Sequence, residues 1–339
     1  MILYNPNIKS SLMEFGIQIP LHDNRATRTF EVLKNHPDAG PVLARRHKDR
    51  IDERLTREDL LRAHTTSYVD RLFSDDLESI IVQTYELIDP DGNYYRYNPD
   101  EATRPLTDLL QRTLDQAAGS LECARLALAH GFCYYFSGGM HHAHPGHGSG
   151  FCLVNDIVTA ARRLQAEQLV QKVWIIDTDV HKGDGTAEIT AGDGSIVTLS
   201  IHMAAGWPLD GPPILADGSP NPAFIPSDID IPIAAGDEKT YLKRLAQGLA
   251  ELEGSGQADL AIIVSGADPY ELDELPSTAP LKLSLDQLMD RDRMVYNFLK
   301  DKRVPAAFLM AGGYGDQVWR VFAQFLTWVL PQLGPEANS

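Results

Sequence analysis

Short apolar runs alternate along this chain with longer segments of helical periodicity. Five runs are almost wholly apolar, as expected of strands covered on both faces: Phe132 to Phe136, Val173 to Ile176, Ile196 to Ile201, Leu260 to Val264 and Ala306 to Met310. Four helices are predicted: Leu106 to His130, Val158 to Leu169 with Asn155 or Asp156 as N-cap, Asp237 to Leu252 and Leu285 to Lys302. This alternation predicts an α/β protein with a central, mostly parallel sheet and helices on both faces.

Composition narrows the class of protein. The chain has 339 residues, 43% of them hydrophobic, and it lacks linker-like tracts and repeats, so we expect one domain covering residues 1–339. The formal net charge of −17 argues against a nucleic-acid partner, because phosphate binding needs clustered Lys and Arg. An acidic surface can serve solubility, reflect a salty habitat or steer a cationic substrate.

The three cysteines form no CxxC pair and no even set, so we expect no disulfide framework. The first residues do not resemble a signal peptide, and no apolar window is long enough to span a membrane. We therefore expect a cytoplasmic protein that does not associate with membranes.

Four of the five strand-like runs lead directly into polar, glycine-containing segments, which are SGGMHH, DTDVHKGDG, SGAD and AGGYG. In parallel α/β sheets, ligands bind beyond the carboxyl ends of the strands. The chemistry of this protein is therefore expected in these segments. The stretch from Ala204 to Ser227 is rich in Pro and Gly and predicts a long surface loop at the rim of such a site.

Alternating polar residues follow the run VWII. Asp179 and His181 point the same way if the chain stays extended there, so both can bind one metal ion. Asp268, at the end of AIIVSGAD, is the candidate third ligand. Two carboxylates and one imidazole suit zinc or iron, with a coordination position left for water. The alternative is a pair of loop carboxylates that cap a helix or face solvent.

Two adjacent histidines, His141 and His142, follow another strand end. Beside a metal site they can act as a general base and as its acid or electrostatic partner. Asp177 and Asp184 are available to fix their tautomers. The alternative is one packed and one exposed imidazole without a catalytic role.

The segment AGGYG places Tyr314 between glycines, which allow a sharp turn that presents the phenol to a pocket. That phenol could donate a hydrogen bond to an oxyanion, although tyrosines among glycines are also common in ordinary turns. His144 and His147, in AHPGHGSG, are predicted to lie on a mobile loop and are assigned no role.

Together these motifs resemble the histone deacetylase superfamily, which includes bacterial histone deacetylase-like amidohydrolases and acetylpolyamine amidohydrolases. GGMHHA, GSGFCLVND, DTDVHKGDGT, SGAD and AGGYG occur in the family's order, and the similarity runs from about His64 to Gly315. The segments SGADPYELDEL and RDRMVYNFLKDKRVPAAFLMAGGYG resemble the class IV branch and its bacterial relatives more than the acetylpolyamine enzymes. The resemblance implies a three-layer arginase/deacetylase-like fold.

The resemblance also implies roles for individual residues. Asp179, His181 and Asp268 would bind Zn²⁺, or Fe²⁺ in the cell. His142 would be the general base and His141 its partner, oriented by Asp184 and Asp177 respectively, and Tyr314 would polarise the acyl carbonyl. A structural monovalent cation, usually potassium, would be bound by Asp177, Asp179, His181, Ser200 and Ile201. Gly150, Phe151 and Trp207 would wall the acyl tunnel.

Some positions depart from the family pattern. Lys182 replaces a second histidine that often follows the metal-binding one, and Thr178 stands where an apolar residue is usual. Asp100 and Glu101 are candidates for the acidic residue that grips the substrate backbone, or else form an ordinary acidic pair at a helix start.

The implied activity is zinc-dependent hydrolysis of N-acetyl or other N-acyl amine bonds, as in acetyl-lysine of proteins or acetylated polyamines. Neither the substrate nor the oligomeric state follows from the sequence. Two alternatives remain: a binuclear-manganese amidinohydrolase of the arginase type, and a non-catalytic module that binds acyl amines.

Overall fold

The computed structural model describes residues 1–209, 211, 213–221 and 223–333. Within this part of the chain, eight strands form one sheet in the order β2-β1-β3-β8-β7-β4-β5-β6, and all neighbouring strands run parallel. The strands are β1 (Ile2–Leu3), β2 (His47–Lys48), β3 (Phe132–Tyr135), β4 (Val173–Asp177), β5 (Ile196–Met203), β6 (Ile229–Ile233), β7 (Leu260–Ser265) and β8 (Ala306–Met310).

Eleven α-helices are found among the same residues. They are α1 (Asn24–Asn35), α2 (Ala39–Arg46), α3 (Arg57–Leu60), α4 (Thr66–Leu72), α5 (Leu77–Thr84), α6 (Asp108–His130), α7 (Asp156–Ala166), α8 (Asp184–Thr190), α9 (Tyr241–Gly254), α10 (Leu285–Lys302) and α11 (Trp319–Val329). In the described ranges, no helix combines the length and the apolar character needed to cross a bilayer.

The sheet separates two layers of helices. Along β4, Trp174 and Ile176 enter one apolar core, whereas Val173 and Ile175 enter the other, because successive side chains leave opposite faces of a strand. Helices α1, α2, α9, α10 and α11 cover the first face, and α6, α7 and α8 cover the second. This three-layer arrangement confirms the predicted α/β fold.

The strand order gathers the four glycine-containing segments at one place. β3, β8, β7 and β4 are successive neighbours in the sheet, although β3 and β8 are far apart in the sequence. Because the strands are parallel and in register, their carboxyl ends lie along one edge. The loops that follow these four strands therefore converge.

The five predicted strands are all present, with boundaries within two residues of those predicted, and the four predicted helices are present within four residues. Asn155 rather than Asp156 caps α7, accepting a hydrogen bond from the Val158 N–H at 3.0 Å. The strands β1 and β2 were not predicted because two residues carry no periodicity. β6 alternates buried and half-buried residues around Pro232, a pattern that is weak evidence for a strand.

A third apolar cluster lies beside the convergent loops. It contains buried residues of α4, α5 and the first turns of α6, together with Leu153 and Val154. Met140, Phe151 and Tyr314 pack against it from the loops. The loops that carry the chemistry therefore rest on a packed apolar surface.

Candidate active site

The segment after β4 curls so that alternate side chains converge. Asp177 is the last residue of the strand, and its Oδ1 accepts a hydrogen bond from the Asp179 N–H at 3.1 Å. The Asp179 Oδ1 in turn accepts one from the His181 N–H at 3.1 Å. Each carboxylate thus fixes the backbone two residues further on, which directs Asp179 and His181 toward the same point.

Asp179, His181 and Asp268 form a compact, buried cluster whose potential ligand atoms all lie within 4.8 Å of one another. The Nδ1 of His181 lies 3.2 Å from an oxygen of each aspartate. Backbone N–H groups hold the other carboxylate oxygens: Gly312 donates to Asp179 Oδ2 and Val180 to Asp268 Oδ1, each at 3.0 Å. The cluster therefore joins the loops after β4, β7 and β8.

The chemistry of these donors fits a divalent metal ion. Burial together with the neighbouring Asp179 carboxylate raises the pKa of Asp268 well above its usual range, since two buried like charges destabilise each other. A cation between them would offset that repulsion. The Oγ of Ser277 lies 3.0 Å from the Nε2 of His181 and fixes the ring with Nδ1 toward the aspartates. Two carboxylate oxygens and one imidazole nitrogen suit zinc or iron.

His141 and His142 lie side by side, with ring centroids 3.9 Å apart, and each ring is held by its own carboxylate. His141 Nδ1 donates to Asp177 Oδ2 at 2.6 Å, and His142 Nδ1 donates to Asp184 Oδ1 at 2.7 Å. Because ionised carboxylates only accept, both Nδ1 atoms carry a proton, and Nε2 of His142 is the nitrogen left to take one up.

The two rings differ in electrostatic surroundings. Burial and the neighbouring His141 lower the pKa of His142 to about 4. Burial also opposes the charged form of His141, but Asp177 and Asp179 outweigh it and raise the pKa of that ring to about 10. Adjacent imidazoles are thereby separated into a charged and a neutral one.

Tyr314 lies on the glycine-flanked segment after β8. Its backbone N–H donates to Asp273 Oδ2 at 2.7 Å, and its ring meets the Phe151 ring edge-on with centroids 6.5 Å apart. Burial, and then the charges of Asp179 and Asp268, raise the pKa of the phenol well above its usual range. The hydroxyl therefore keeps its proton and is available as a hydrogen-bond donor.

One cavity of about 260 Å³ is lined by five of these residues, which are His141, His142, Asp179, His181 and Tyr314. Gly150, Phe151 and Trp207 also form part of its wall. The Trp207 ring lies edge-on to His142, with centroids 4.5 Å apart. Gly150 has a φ of 52°, and a Cβ at this position would overlap both rings, so only glycine fits between them.

The acidic pair proposed to contact the substrate does not reach this cavity. Asp100 and Glu101 lie in an exposed turn and are not part of the cavity wall, whereas Glu86 and Arg96 are. Most of the stretch from Ala204 to Ser227 is irregular and exposed, as predicted, although Asp210, Pro212 and Pro222 lie outside the described residues.

Two residues expected near a monovalent cation lie in β5 beside the site. Ser200 pairs in register with Asp177 of β4, and Ile201 follows Ser200 in the strand; Ser200 and Ile201 are both buried.

Lys182 is fully buried, and its Nζ donates to Ser227 Oγ at 2.8 Å and to Asp230 Oδ1 at 2.5 Å. It therefore links the segment that carries Asp179 and His181 to the end of the loop from Ala204 to Ser227, and it offers no ligand to the cavity.

Comparison with known proteins identifies the family. A model described as "Histone deacetylase domain" matches residues 19–330. The chain belongs to the histone deacetylase family.

Individual relatives of this family are similar over parts of the chain. An uncharacterized protein of Picosynechococcus sp. is 35% identical over 62% of this chain and 65% of its own length. Histone deacetylase 2 of Arabidopsis thaliana is 28% identical over 61% of this chain and 51% of its own. The acetoin utilization protein AcuC of Staphylococcus aureus is 27% identical over 91% of this chain and 75% of its own.

A solved structure of the family has the same fold. The crystal structure of the HDA15 HD domain superposes with a TM-score of 0.67 over 99% of this chain and 90% of that chain, at 19% sequence identity. The architecture of the sheet and its two helical layers is therefore the histone deacetylase one.

Two buried arginines support the site of this family member and were not singled out in the sequence. Arg291 Nη1 donates to the carbonyls of Thr178 at 3.1 Å and Gly266 at 2.8 Å, which lie next to Asp179 and two residues before Asp268 in the sequence, respectively. Arg25 donates to the carbonyls of Met310 at 2.8 Å and Gly313 at 3.2 Å. Both therefore fix backbone around the convergent loops.

A sequence signal for Arg291 did exist. Arg291 lies between Leu288 and Val295 on the face of α10 that carries the apolar residues, so the helical spacing predicts that its side chain is buried. An arginine on a buried stripe must satisfy its donors internally, and the polar carbonyls of a functional site are natural acceptors.

The expectation of a mobile loop at His144 was wrong. The residue is buried, and its ring bonds carboxylates of α8, whereas His147 is exposed and stacks on it with centroids 4.4 Å apart. Flanking Pro145 and Gly146 indicated only an irregular backbone, which does not exclude a packed side chain.

Gly312→Ala is expected to abolish high-affinity metal binding. A Cβ at this position would overlap the carboxylate oxygens of both Asp179 and Asp268, and no left-handed backbone strain complicates the change. Metal content per chain after dialysis against trace zinc, measured by mass spectrometry, should fall by at least about tenfold.

Gly194→Ala is the matched control for that experiment, because a Cβ there meets open space. It should keep the metal content of the unmodified protein. Undiminished metal binding in Gly312→Ala would contradict the assignment of the two aspartates as ligands.

Proposed function

We propose that this protein is a metal-dependent deacetylase that hydrolyses N-acyl amine bonds in a single catalytic domain spanning residues 1–339. The observation that carries the proposal is the convergence of the Asp179, His181 and Asp268 cluster, two carboxylate-bound histidines and a tyrosine on one cavity. Membership of the histone deacetylase family supports the same reaction class.

Zinc is the proposed metal, with ferrous iron as the alternative, and the residues that would hold it are Asp179, His181 and Asp268. A divalent ion bound there would supply Lewis acidity toward the acyl carbonyl and toward water. A structural potassium ion is further proposed at Asp177, Asp179, His181, Ser200 and Ile201.

The chain's own groups are assigned the following roles. His142, neutral and held by Asp184, takes a proton from the attacking water. His141, held by Asp177, stabilises developing negative charge and delivers a proton to the leaving amine. Tyr314 donates a hydrogen bond to the oxyanion that forms from the carbonyl.

The wall of the cavity is suited to an acyl chain. Phe151 and Trp207 both contribute aromatic rings to the cavity wall, and Gly150 leaves the space beside the Trp207 ring free of a side chain. Acetyl-lysine of proteins and acetylated polyamines are both candidate substrates, because each carries a slender acyl amine that such a cavity admits.

The arginase-type alternative is less well supported. In the described part of the chain, Asp179, His181 and Asp268 make up the only cluster of three or more His, Cys, Asp or Glu side chains with metal-binding spacing. Lys182, at the position of a possible further ligand, is engaged with Asp230. A non-catalytic binding module would have no use for two separately oriented histidines.

A turnover panel combined with metal analysis tests the proposed activity. The protein, reconstituted with zinc, iron or manganese, is incubated with acetylputrescine, acetylcadaverine, an acetyl-lysine peptide and a long-acyl peptide, and separately with guanidino compounds such as arginine. We expect one divalent ion per chain and release of acetate or the longer acid. Two ions per chain with urea release from guanidino compounds would favour the amidinohydrolase, and binding without turnover would favour the module.

Tyr314→Phe is expected to lower kcat by about a hundredfold with little change in KM, because it removes a hydrogen bond made to the oxyanion. The control is Tyr94→Phe, which removes the same hydroxyl from a side chain that is 63% exposed. Retention of full activity in Tyr314→Phe, on a substrate the unmodified enzyme turns over, would show that the phenol has no such role.

Arg96→Ala is expected to shift substrate preference toward cationic amines. The Arg96 guanidinium lies 5.3 Å from the Phe151 ring centroid and pairs with Glu86 at 2.6 Å, so its removal leaves an unpaired carboxylate in the cavity wall. The ratio of kcat/KM for acetylputrescine to that for a neutral acetyl-lysine peptide should rise by about fivefold.

Arg50→Ala is the control for net charge, because Arg50 is exposed and pairs with Asp52 instead. It should leave the ratio unchanged. An equal ratio in the Arg96 variant and the unmodified enzyme would remove Arg96 from the specificity of the site.

A further inference from the structure

His144 lies two residues beyond the histidine pair and has a well-defined buried environment. Its side chain is 9% exposed, and its ring stacks on His147 with an interplanar angle of 8°. Its backbone is fixed as well: the carbonyl accepts from His64 Nδ1 at 2.8 Å, and the N–H donates to the His147 carbonyl at 2.9 Å. The ring is therefore held in one orientation.

Both ring nitrogens of His144 face carboxylates of α8. Nδ1 lies 2.5 Å from Glu188 Oε2, and Nε2 lies 3.3 Å from Asp184 Oδ2. An ionised carboxylate can only accept, so each ring nitrogen must donate, and a ring that donates from both nitrogens is an imidazolium. Burial opposes that charge, but the two acidic residues outweigh it and raise the pKa of His144.

Asp184 connects this imidazolium to the candidate base. Its Oδ1 accepts from His142 Nδ1 at 2.7 Å and from the Gly185 N–H at 3.0 Å, while its Oδ2 faces His144. With hydrogen-bond donors on Oδ1 and the His144 ring at ion-pair distance from Oδ2, the carboxylate cannot rotate without losing a charge-assisted contact. A continuous path of side chains thus leads from His142 through Asp184 and His144 to Glu188.

We propose that His144 is a positioning residue that fixes the Asp184 carboxylate, and through it the His142 ring, by donating from Nε2 while Glu188 holds Nδ1. The inference rests on the proposed function, since it concerns the general base of that reaction. His144 is not part of the cavity wall, so it acts on the orientation of the base rather than on substrate binding.

The path ends near solvent, since the Glu188 side chain is 44% exposed. A partly exposed carboxylate contributes less to holding the ring than a buried one, because water competes for its oxygens. The ion pair with Asp184, whose side chain is 15% exposed, is therefore the contact expected to govern activity.

A pair of amide variants separates positioning from packing. In His144→Gln the amide nitrogen can take the place of Nε2 and donate to Asp184, whereas in His144→Asn it takes the place of Nδ1 and reaches toward Glu188. We expect kcat to fall by about tenfold or more in His144→Asn and His144→Ala and by no more than about threefold in His144→Gln, with KM nearly constant throughout.

His147→Gln is the control, because it changes the stacking partner without touching Asp184; it should keep the kcat of the unmodified enzyme. Melting temperatures are recorded for all variants. Equal losses of kcat in the Asn and Gln variants, or a kcat that simply follows the melting temperature, would overturn the proposal.

A spectroscopic measurement tests the same inference without using activity. Nitrogen-15 NMR of histidine-labelled protein at neutral pH should show both ring nitrogens of His144 protonated, with the signal assigned by its loss in His144→Gln. A neutral His144 ring in an active enzyme would overturn the inference alone. A protonated ring in a protein that hydrolyses no acyl amine would refute the proposed function and leave the contacts of His144 established.

Discussion

Two buried aspartates that share one imidazole are the constraint on which the rest of this structure depends. Bringing Asp179 and Asp268 together out of water is costly unless donors surround them and a cation joins them. The surrounding backbone supplies such donors: the N–H groups of Val180 and Gly312 donate to the two carboxylates. Gly312 also lacks the Cβ that would block this close approach. Arg291 then fixes the carbonyls on which both loops turn.

The histidines show how neighbouring charges give one residue type different properties. Burial opposes the charged form of both rings: for His141 two aspartates outweigh it and raise the pKa, whereas for His142 burial and the charged neighbour outweigh its one aspartate and lower the pKa. Pairs of titratable groups whose pKa values are driven apart are typical of acid–base sites. The pKa values of the two rings differ partly because each ring contacts a different carboxylate. Those contacts are set by the loops after β3 and β4.

The sequence predicted the central part of this fold well and its periphery poorly. Buried strands such as β4 and β7 are apolar throughout and end in polar residues, so both the strand and the chemistry at its end could be recognised. The packing of His144 could not be predicted, because its partners Asp184 and Glu188 lie on a helix forty residues further along the chain. Contacts of this kind depend on tertiary geometry, which local composition does not encode.

The position of β8 in the sheet has a consequence for how the molecule is made. Of the eight strands among the described residues, this one comes last in the sequence, yet it inserts between β3 and β7 and completes the row of strand ends. Until β8 docks, the edge of β3 that faces away from β1 is unpaired, and the loop after β3 cannot contact the loops after β7 and β8. Pairing of strands so distant in sequence is slow to form, so a nascent chain emerging from the ribosome carries exposed strand edges until β8 is available.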